Sequence, residues 1–597
     1  MEGCLLLSDN SWDTNDRIVT RRPWALILVA FFLMAILGMR LFKLQVLDWR
    51  MYLEESDDKR IKREVIEAPR GYILDRNGVV LAENRLSYSI TIDPFARKQF
   101  DKTIPALAAH LGVSTPELTT TVKDLTSKSR NPVKIVRDAD FRLLSVVMEH
   151  NNDMPGVSCV FDQRRFYPQG TLASHVIGYM GETSKDLKTQ REAGYDYGQQ
   201  VGIYGSEKYF ENQLKGENGA KFVVRNHISR VVEDENYKPD PLSPIPGQDV
   251  TLTLDVRLQM IAEEAFGDSV LGGIVALDPR NGEVLIMASA PKFDPNEFEG
   301  VISASRLREI QTDPDKPLFN RAIQALYPPG SPLKVLTALA GLENGIPETT
   351  KFSSCHGSYY FGRRYKCWKE GGHGQLDMVR AITNSCNVYF YQLGRKVGLE
   401  KWHTVASQLE LGMKSGIDLD DEVAGLIPNH EYYQNVGTAW SPGMMLNLSI
   451  GQGEVVSTIL QLARYTSTIA TEGLLTKPHL NSLAYEQPRQ IEGITRHSFK
   501  LVKEGMKGVI NSSEGTAKSA RIPGHVIAGK TGTAQNPHGA DHKLFIAFAP
   551  YDNPTIAIAC VAENAGDYTG SLAVKIVKEV LVEYFNWYPD TTVAVND

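Results

Sequence analysis

The segment from Pro23 to Met39 carries no charged residue and is almost wholly apolar. No other feature limits the fold so strongly. In a hydrocarbon layer every backbone N–H and C=O must be paired within the chain, so a single run of this kind crosses as an α-helix. Arg40 and Lys43 can lay their aliphatic stems along the helix and keep their charges in the interface, which extends the run to Leu44 and gives it membrane-spanning length. A cleaved leader is the rival reading. The preceding stretch is long and contains acids, and no small-x-small site follows the run, so the pattern favours a retained anchor. Residues 23–44 are therefore expected to be a transmembrane anchor. Residues 1–22 would form a cytoplasmic tail held inside by Arg17, Arg21 and Arg22, although Arg40, Lys43 and Arg50 weaken the charge asymmetry. The rest of the chain would lie outside the membrane.

At 597 residues the chain exceeds what one hydrophobic core can organise. Pro239, Pro241, Pro244, Pro246 and Gly247 read as a linker. On that reading residues 45–240 form a mixed α/β region, 241–590 a second domain and 591–597 a tail. In the first region, Ile73-Leu74 and Val79–Ala82 flank an Asn77-Gly78 turn. In the second, Gly273–Leu277 and Glu283–Met287 flank Asp278-Pro279-Arg280-Asn281-Gly282, another hairpin signal. Leu544–Phe548 and Thr555–Val561 read as buried strands, and Leu572–Tyr584 as an amphipathic closing helix. Strands at both ends around a helical middle predict an α+β domain with one antiparallel sheet covered by helices. A net charge of −7 gives no reason to expect a nucleic-acid partner.

The chemistry is concentrated in three stretches. Tyr327-Pro328-Pro329-Gly330 breaks the chain ahead of Ser331-Pro332-Leu333-Lys334, and an apolar helical run follows. Pro332 suits a first helical turn, which places Ser331 at the helix start and Lys334 on the same face. A hydroxyl beside an amine is a nucleophile with a built-in base, and it sits where backbone N–H groups favour an oxyanion. Alone, Ser-x-x-Lys is as compatible with a capping serine and a solvated lysine. Ser385-Cys386-Asn387 and Lys530-Thr531-Gly532-Thr533 follow in order, the latter near the end of a strand-like run, His525–Gly529. Ser-x-x-Lys, Ser-x-Asn and Lys-Thr-Gly in this order form the signature of penicillin-binding proteins and class A β-lactamases.

From anchor to closing helix the chain resembles the class B penicillin-binding proteins, and within them the elongation-type group, penicillin-binding protein 2. The likeness is carried by Ala68-Pro69-Arg70-Gly71, Arg165-Phe166-Tyr167-Pro168 and Gly205-Ser206-Glu207. It is also carried by Asn447–Gly453 and Asp541–Pro550. The resemblance implies a non-catalytic, dimerisation-type pedestal tied together by Arg and Glu side chains. It also implies the serine penicillin-recognising fold, a five-stranded antiparallel sheet flanked by helices. The activity implied is peptidoglycan D,D-transpeptidation through a serine acyl-enzyme. Ser331 would be the nucleophile and Lys334 its base, kept neutral by the nearby charge of Lys530. Ser385 would relay the proton and Asn387 would hold the stem amide. The N–H groups of Ser331 and Thr533 would form the oxyanion hole, and Lys530, Thr531, Gly532 and Thr533 would bind the terminal carboxylate. The implied partners are stem peptides on lipid-linked or nascent glycan, a RodA-type glycan polymerase, and β-lactams as inhibitors. The implied location is the bacterial inner membrane, with the catalytic domain periplasmic and no cofactor for catalysis. A septal class B transpeptidase and a membrane-anchored β-lactam receptor remain alternatives.

Cys355, Cys367 and Cys386 lie close together with His373 among them, while Cys4, Cys159 and Cys560 are solitary. Three thiolates and one imidazole make a closed Cys₃His set, the structural type of zinc site. The competing reading is a Cys355–Cys367 disulfide in an oxidising compartment. Cys386 is the middle residue of Ser385-Cys386-Asn387, so a metal bond there would pin the catalytic loop from behind.

Overall fold

The computed structural model describes residues 23–51, 61–128, 132–182, 195, 199–224, 240–299, 302, 304–537, 539–566 and 571–589. The expected cytoplasmic tail at 1–22, with Cys4, and the tail at 591–597 lie outside the described residues. The chain divides into two compact units, residues 1–67 with 218–244 and residues 68–217 with 245–597.

In the first unit, helix α1 (Pro23–Phe42) runs on through a short π-turn at Lys43–Leu47. The window Trp24–Leu47 is long and apolar enough to cross a membrane, and none of it is buried in the protein. Side chains such as Phe31 and Met34 are therefore open to the surroundings. In the same unit Ile61–Ile66 pairs antiparallel with Gly219–Val224.

The second unit begins with a sheet of β1 (Ile73–Leu74), β2 (Val80–Ile92), β3 (Val133–Val136), β4 (Val157–Phe166) and β5 (Val250–Thr251). The long strand β2 pairs with β1, β3 and β4, and β1 pairs in parallel with β5. The turn after β1 is built by the Asp75 carboxylate, which accepts from the N–H groups of Asn77 and Val79, while Gly78 takes φ +82°. Two guanidiniums converge on Glu207 in this part of the unit. Arg165 Nε lies 2.6 Å and Arg70 Nε 2.7 Å from its two carboxylate oxygens; Arg165 and Glu207 are buried and Arg70 is nearly so. Arg70 also meets Glu211 at 2.8 Å.

The proline-rich segment is not a free linker. In the first unit Leu242 bridges to Ala220, and in the second Ile245 bridges to Glu217 while the Gly247 N–H donates to Pro69 O. A Cβ on Gly247 would lie 1.8 Å from Leu214 O, so this backbone is packed against its neighbours. Composition reports a lack of regular structure but not a lack of partners.

The rest of the unit is built around a five-stranded antiparallel sheet. Its strands are β6 (Gly272–Leu277), β7 (Val284–Ala290), β10 (Ala528–Ala534), β11 (His542–Ala549) and β12 (Ile556–Ala562), in the order β7-β6-β12-β11-β10. A small hairpin, β8 (Ser358–Phe361) and β9 (Arg363–Lys366), lies outside this sheet. Helix α2 (Val256–Phe266) packs on the closing helix α8 (Leu572–Trp587) over one sheet face. Helices α3 (Leu333–Glu343), α4 (Met378–Thr383), α5 (Asn387–Val397), α6 (Ile459–Ala470) and α7 (Arg496–Asn511) form the other layer, with α6 against the sheet. Leu544, Ile546 and Phe548 point into the core beneath α6, whereas Phe545 and Ala547 point into the core beneath α2 and α8. Both faces are covered, so these strands read as continuous apolar runs without alternation. Strand β10 is the edge of the sheet. It starts at Ala528, not His525, and so Lys530-Thr531-Gly532 falls in its middle and not at its end. The His525 ring instead stacks on Phe585 at 3.7 Å.

Candidate active site

Ser331 stands in the turn that leads into α3. The Leu333 N–H donates to Gly330 O at 3.0 Å and the Lys334 N–H to Ser331 O at 3.1 Å, so the helix proper begins two residues after the serine. Gly330 takes φ +63°, and its N–H donates to Gly451 O at 2.8 Å. A Cβ on Gly330 would fall 2.7 Å from Thr533 O and 3.3 Å from Thr533 N, so the backbone of edge strand β10 passes directly against the serine turn. Gly532 is required by the same approach, since its Cβ would lie 2.8 Å from Pro332 Cδ. The backbone of Thr533 therefore lies beside the serine turn.

One helical turn on, Lys334 is fully buried. Its Nζ donates to Ser385 O at 2.8 Å, Ser385 Oγ at 3.2 Å and Asn387 Oδ1 at 2.5 Å. The structure therefore brings the Ser331-x-x-Lys334 and Ser385-x-Asn387 stretches together through one amine. Burial pushes the Lys334 amine down to about 8, because an ammonium in this site has given up its water. Lys530 is also fully buried and is pushed well below its ordinary value, by burial first and by the charge of Lys334 second. Desolvation lowers Lys334 against the opposing influence of Cys367 and Cys386, and the charge of Lys530, expected to keep it neutral, is not among the causes.

Ser385 sits at φ +52°, an uncommon conformation for a residue with a side chain. It is held there between α4 and α5, with its own N–H donating to Ile382 O and that of Cys386 to Ala381 O. The Trp368 indole N–H donates to the carbonyls of Asn384 and Ser385 at 3.1 and 3.2 Å. Asn387 Nδ2 donates to Lys366 O at 3.2 Å. Glu514 accepts from Asn384 and Arg380, and Thr516 shares a 2.9 Å hydrogen bond with Thr531, so the stretch 514–516 bridges the Ser385 loop and strand β10. Gln452 Nε2 donates to Thr533 O at 2.9 Å. The sequence motifs assign no role to Trp368, Glu514, Thr516 or Gln452, and they place Lys366, with Lys369, only as a charge that would help stabilise the cysteine thiolates. They act through backbone carbonyls, a hydroxyl and, for Glu514, the Asn384 amide and Arg380 guanidinium, and no spacing rule reports such contacts. Gln452 alone lay inside a stretch that had been singled out, Asn447–Gly453.

Behind the same loop, the ligand atoms of Cys355, Cys367, His373 and Cys386 all lie within 4.8 Å of one another. His373 Nδ1 is 3.7 Å from Cys355 Sγ and 3.6 Å from Cys367 Sγ. In a tetrahedral zinc centre with ordinary bond lengths, sulfur and nitrogen ligands stand about 3.6 Å apart. All three thiols are buried, and no disulfide joins them. The S–H of Cys386 is the largest influence holding Cys367 far below the ordinary thiol range; burial opposes it and His373 assists. Cys386, facing that thiolate, is raised. The donor set, its spacing and its burial fit a closed structural metal site.

Known proteins share this architecture. Residues 65–252 match the penicillin-binding protein dimerisation domain, and residues 272–582 the penicillin-binding protein transpeptidase domain. The chain is 33% identical over 577 residues to the peptidoglycan D,D-transpeptidase MrdA of Acinetobacter baumannii, covering 90% of this chain and 84% of that protein. It resembles the solved complex of penicillin-binding protein PBP2 and MreC from Helicobacter pylori with a TM-score of 0.79 at 29% identity, covering 88% of this chain and 99% of that one. A structure described as a peptidoglycan synthase complex coordinating polymerization and crosslinking matches with a TM-score of 0.70 at 30% identity, over 96% of this chain and 100% of that one.

Proposed function

The chain belongs to the penicillin-binding proteins, and on that premise we propose that it is a peptidoglycan D,D-transpeptidase of the elongation type. The observation that carries the reading is the buried Lys334 amine. It is pushed down to about 8 and bonded to both Ser385 and Asn387, one turn from a serine seated against a sheet edge. Ser331 Oγ attacks the carbonyl between the two terminal D-alanines, and Lys334 takes its proton. The oxyanion lies against the N–H groups of Ser331 and Thr533. As the C–N bond breaks, the proton passes through Ser385 to the leaving D-alanine. Asn387 orients the stem amide. Thr531 and Thr533 meet the terminal carboxylate across Gly532, with the buried Lys530 amine beneath the strand. The donor stem adds as a further strand on the open edge of β10. β-Lactams acylate Ser331 by the same route.

The test is labelling of the full chain in detergent with a fluorescent penicillin, followed by peptide mapping. Ser331→Ala should abolish the label while keeping the unfolding free energy within about 0.5–2 kcal/mol of the parent, the range for losing one small hydroxyl at a helix start. Undiminished labelling of that variant at one other residue would refute the assignment.

We further propose a pedestal at 45–240 and a transpeptidase domain at 241–590. The apolar helix α1 anchors them in the inner membrane, with the catalytic domain in the periplasm. A RodA-type polymerase docks on anchor and pedestal, a reading supported by the likeness to a peptidoglycan synthase complex. Cys355, Cys367, His373 and Cys386 hold a structural zinc. Bound there, the metal would fix the donors as thiolates and tie hairpin β8–β9 to the catalytic loop, without contributing to the acyl transfer.

A further inference from the structure

Transpeptidation needs two strands, and the edge of β10 accounts for one, the donor. We propose that the outward face of hairpin β8–β9 docks the other, a carboxylate-bearing glycopeptide that supplies the acceptor amine. This rests on the transpeptidase reading above.

The hairpin's register sorts its side chains onto two faces. Tyr359 pairs with Tyr365 and Phe361 with Arg363; Ser358 pairs with Lys366 and Tyr360 with Arg364. The first set turns toward α5, where Tyr359 and Tyr365 meet the Tyr391 ring and the Arg395 guanidinium lies 4.0 Å over Phe361. The second set faces solvent. Tyr360 is 76% exposed, Arg364 and Lys366 are exposed, and Trp368, next on the same side, is 57% exposed. Arg364 donates to Ser358 Oγ, and neither it nor Lys366 has a carboxylate partner among the described residues. From Ser358 to Gly372 the chain carries Arg363, Arg364, Lys366 and Lys369 against the single acid Glu370.

This is a stripe of aromatic faces interleaved with cations that have no carboxylate partner among the described residues. Aromatic faces stack on the apolar side of sugar rings and on peptide planes, and guanidinium and ammonium groups pair with carboxylates. The stripe leads into the site, because Lys366 O holds Asn387 and the Trp368 indole holds the Ser385 carbonyl. It approaches from the Ser385–Asn387 wall, while the donor lies along β10. A glycopeptide seated on it brings its amine to the acyl carbon from the side the leaving D-alanine has vacated. The amine nitrogen bonds to that carbon, the ester bond to Ser331 Oγ breaks, and the amine's proton returns to Oγ through Lys334.

The test compares full-length protein with Tyr360→Ser/Arg364→Glu, whose side chains touch no catalytic group. Three readouts are needed: acylation by fluorescent penicillin, transfer from a D-alanyl thioester donor to free D-alanine, and transfer from that donor to a soluble disaccharide tetrapeptide with free carboxylates. We expect the first two to stay within twofold and kcat/KM for the disaccharide tetrapeptide to fall roughly tenfold, with the parent's rate losing its advantage in high salt. An unchanged tetrapeptide rate would overturn the docking proposal while leaving the enzyme reading intact. Absence of acylation in the parent protein would instead overturn the enzyme reading. If the variant loses all three activities, circular dichroism and the Arg364→Gln variant decide. A folded Arg364→Gln protein that loses acylation together with transfer refutes a docking role, and one that loses only tetrapeptide transfer supports it.

Discussion

Replacing Glu207 with alanine removes the one carboxylate that serves two buried guanidiniums. Arg165 and Arg70 have side-chain exposures of 2% and 9%, and Glu207 has none. Arg70 keeps Glu211, but Arg165 is left with the Gly71 carbonyl and Asn84 Oδ1 and no counter-charge. Removing one partner of a buried pair costs about 3–5 kcal/mol, because the other charge stays desolvated. At roughly 2–4 °C per kcal/mol for a cooperative unit of this scale, melting should fall by about 6–20 °C. The assay is thermal unfolding of the detergent-solubilised chain followed by intrinsic fluorescence. Glu207→Met with Arg165→Met should recover more than half the loss, since an apolar pair owes no desolvation penalty. The effect should also depend on pH with a defined sign. Burial raises the Glu207 carboxyl, but Arg165 and Arg70 outweigh it and hold it below the ordinary range. The stabilisation is therefore present above the unfolded carboxylate pKa, and the gap between parent and variant should close as pH falls through the folded value. A single variant that melts within 2 °C of the parent, or a double variant no better than the single, would refute the reasoning.

Three further outcomes follow from the active site. Lys334 acts as a base only when neutral and is pushed down to about 8, so the acylation rate by penicillin should rise with pH through about 8 and level off above it. A flat profile from pH 6 to 9 contradicts this. Gly330→Ala places a methyl 2.7 Å from Thr533 O at a residue with φ +63°, so it should slow acylation by at least about tenfold while leaving the fold in circular dichroism. Elemental analysis should find about one zinc per chain. His373→Ala should lower both metal content and melting temperature, and a metal-free protein with parental acylation would exclude the site.

The apolar run at Pro23–Met39, the three catalytic stretches and the buried strands were legible because each is a local statement. A missing charge, a helix start beside a proline, or a continuous Val/Ile/Phe run needs no distant partner to be recognised. The Cys355, Cys367, His373 and Cys386 group was legible as a converging donor set, and the structure places its ligand atoms within 4.8 Å of one another. Distant pairing decided the rest. Lys334 owes its lowered basicity to a burial that α3, α5 and the Ser385 loop create together. The prolines at 239–246 look like a linker by composition, yet Leu242 and Ile245 are bridged within their own units. The positive φ of Ser385 is held by turns between α4 and α5, and its carbonyl is gripped by Trp368, a residue in no sequence motif. Local chemistry is written residue by residue, whereas desolvation and backbone contacts depend on which surfaces the fold presses together, and only the tertiary structure specifies that.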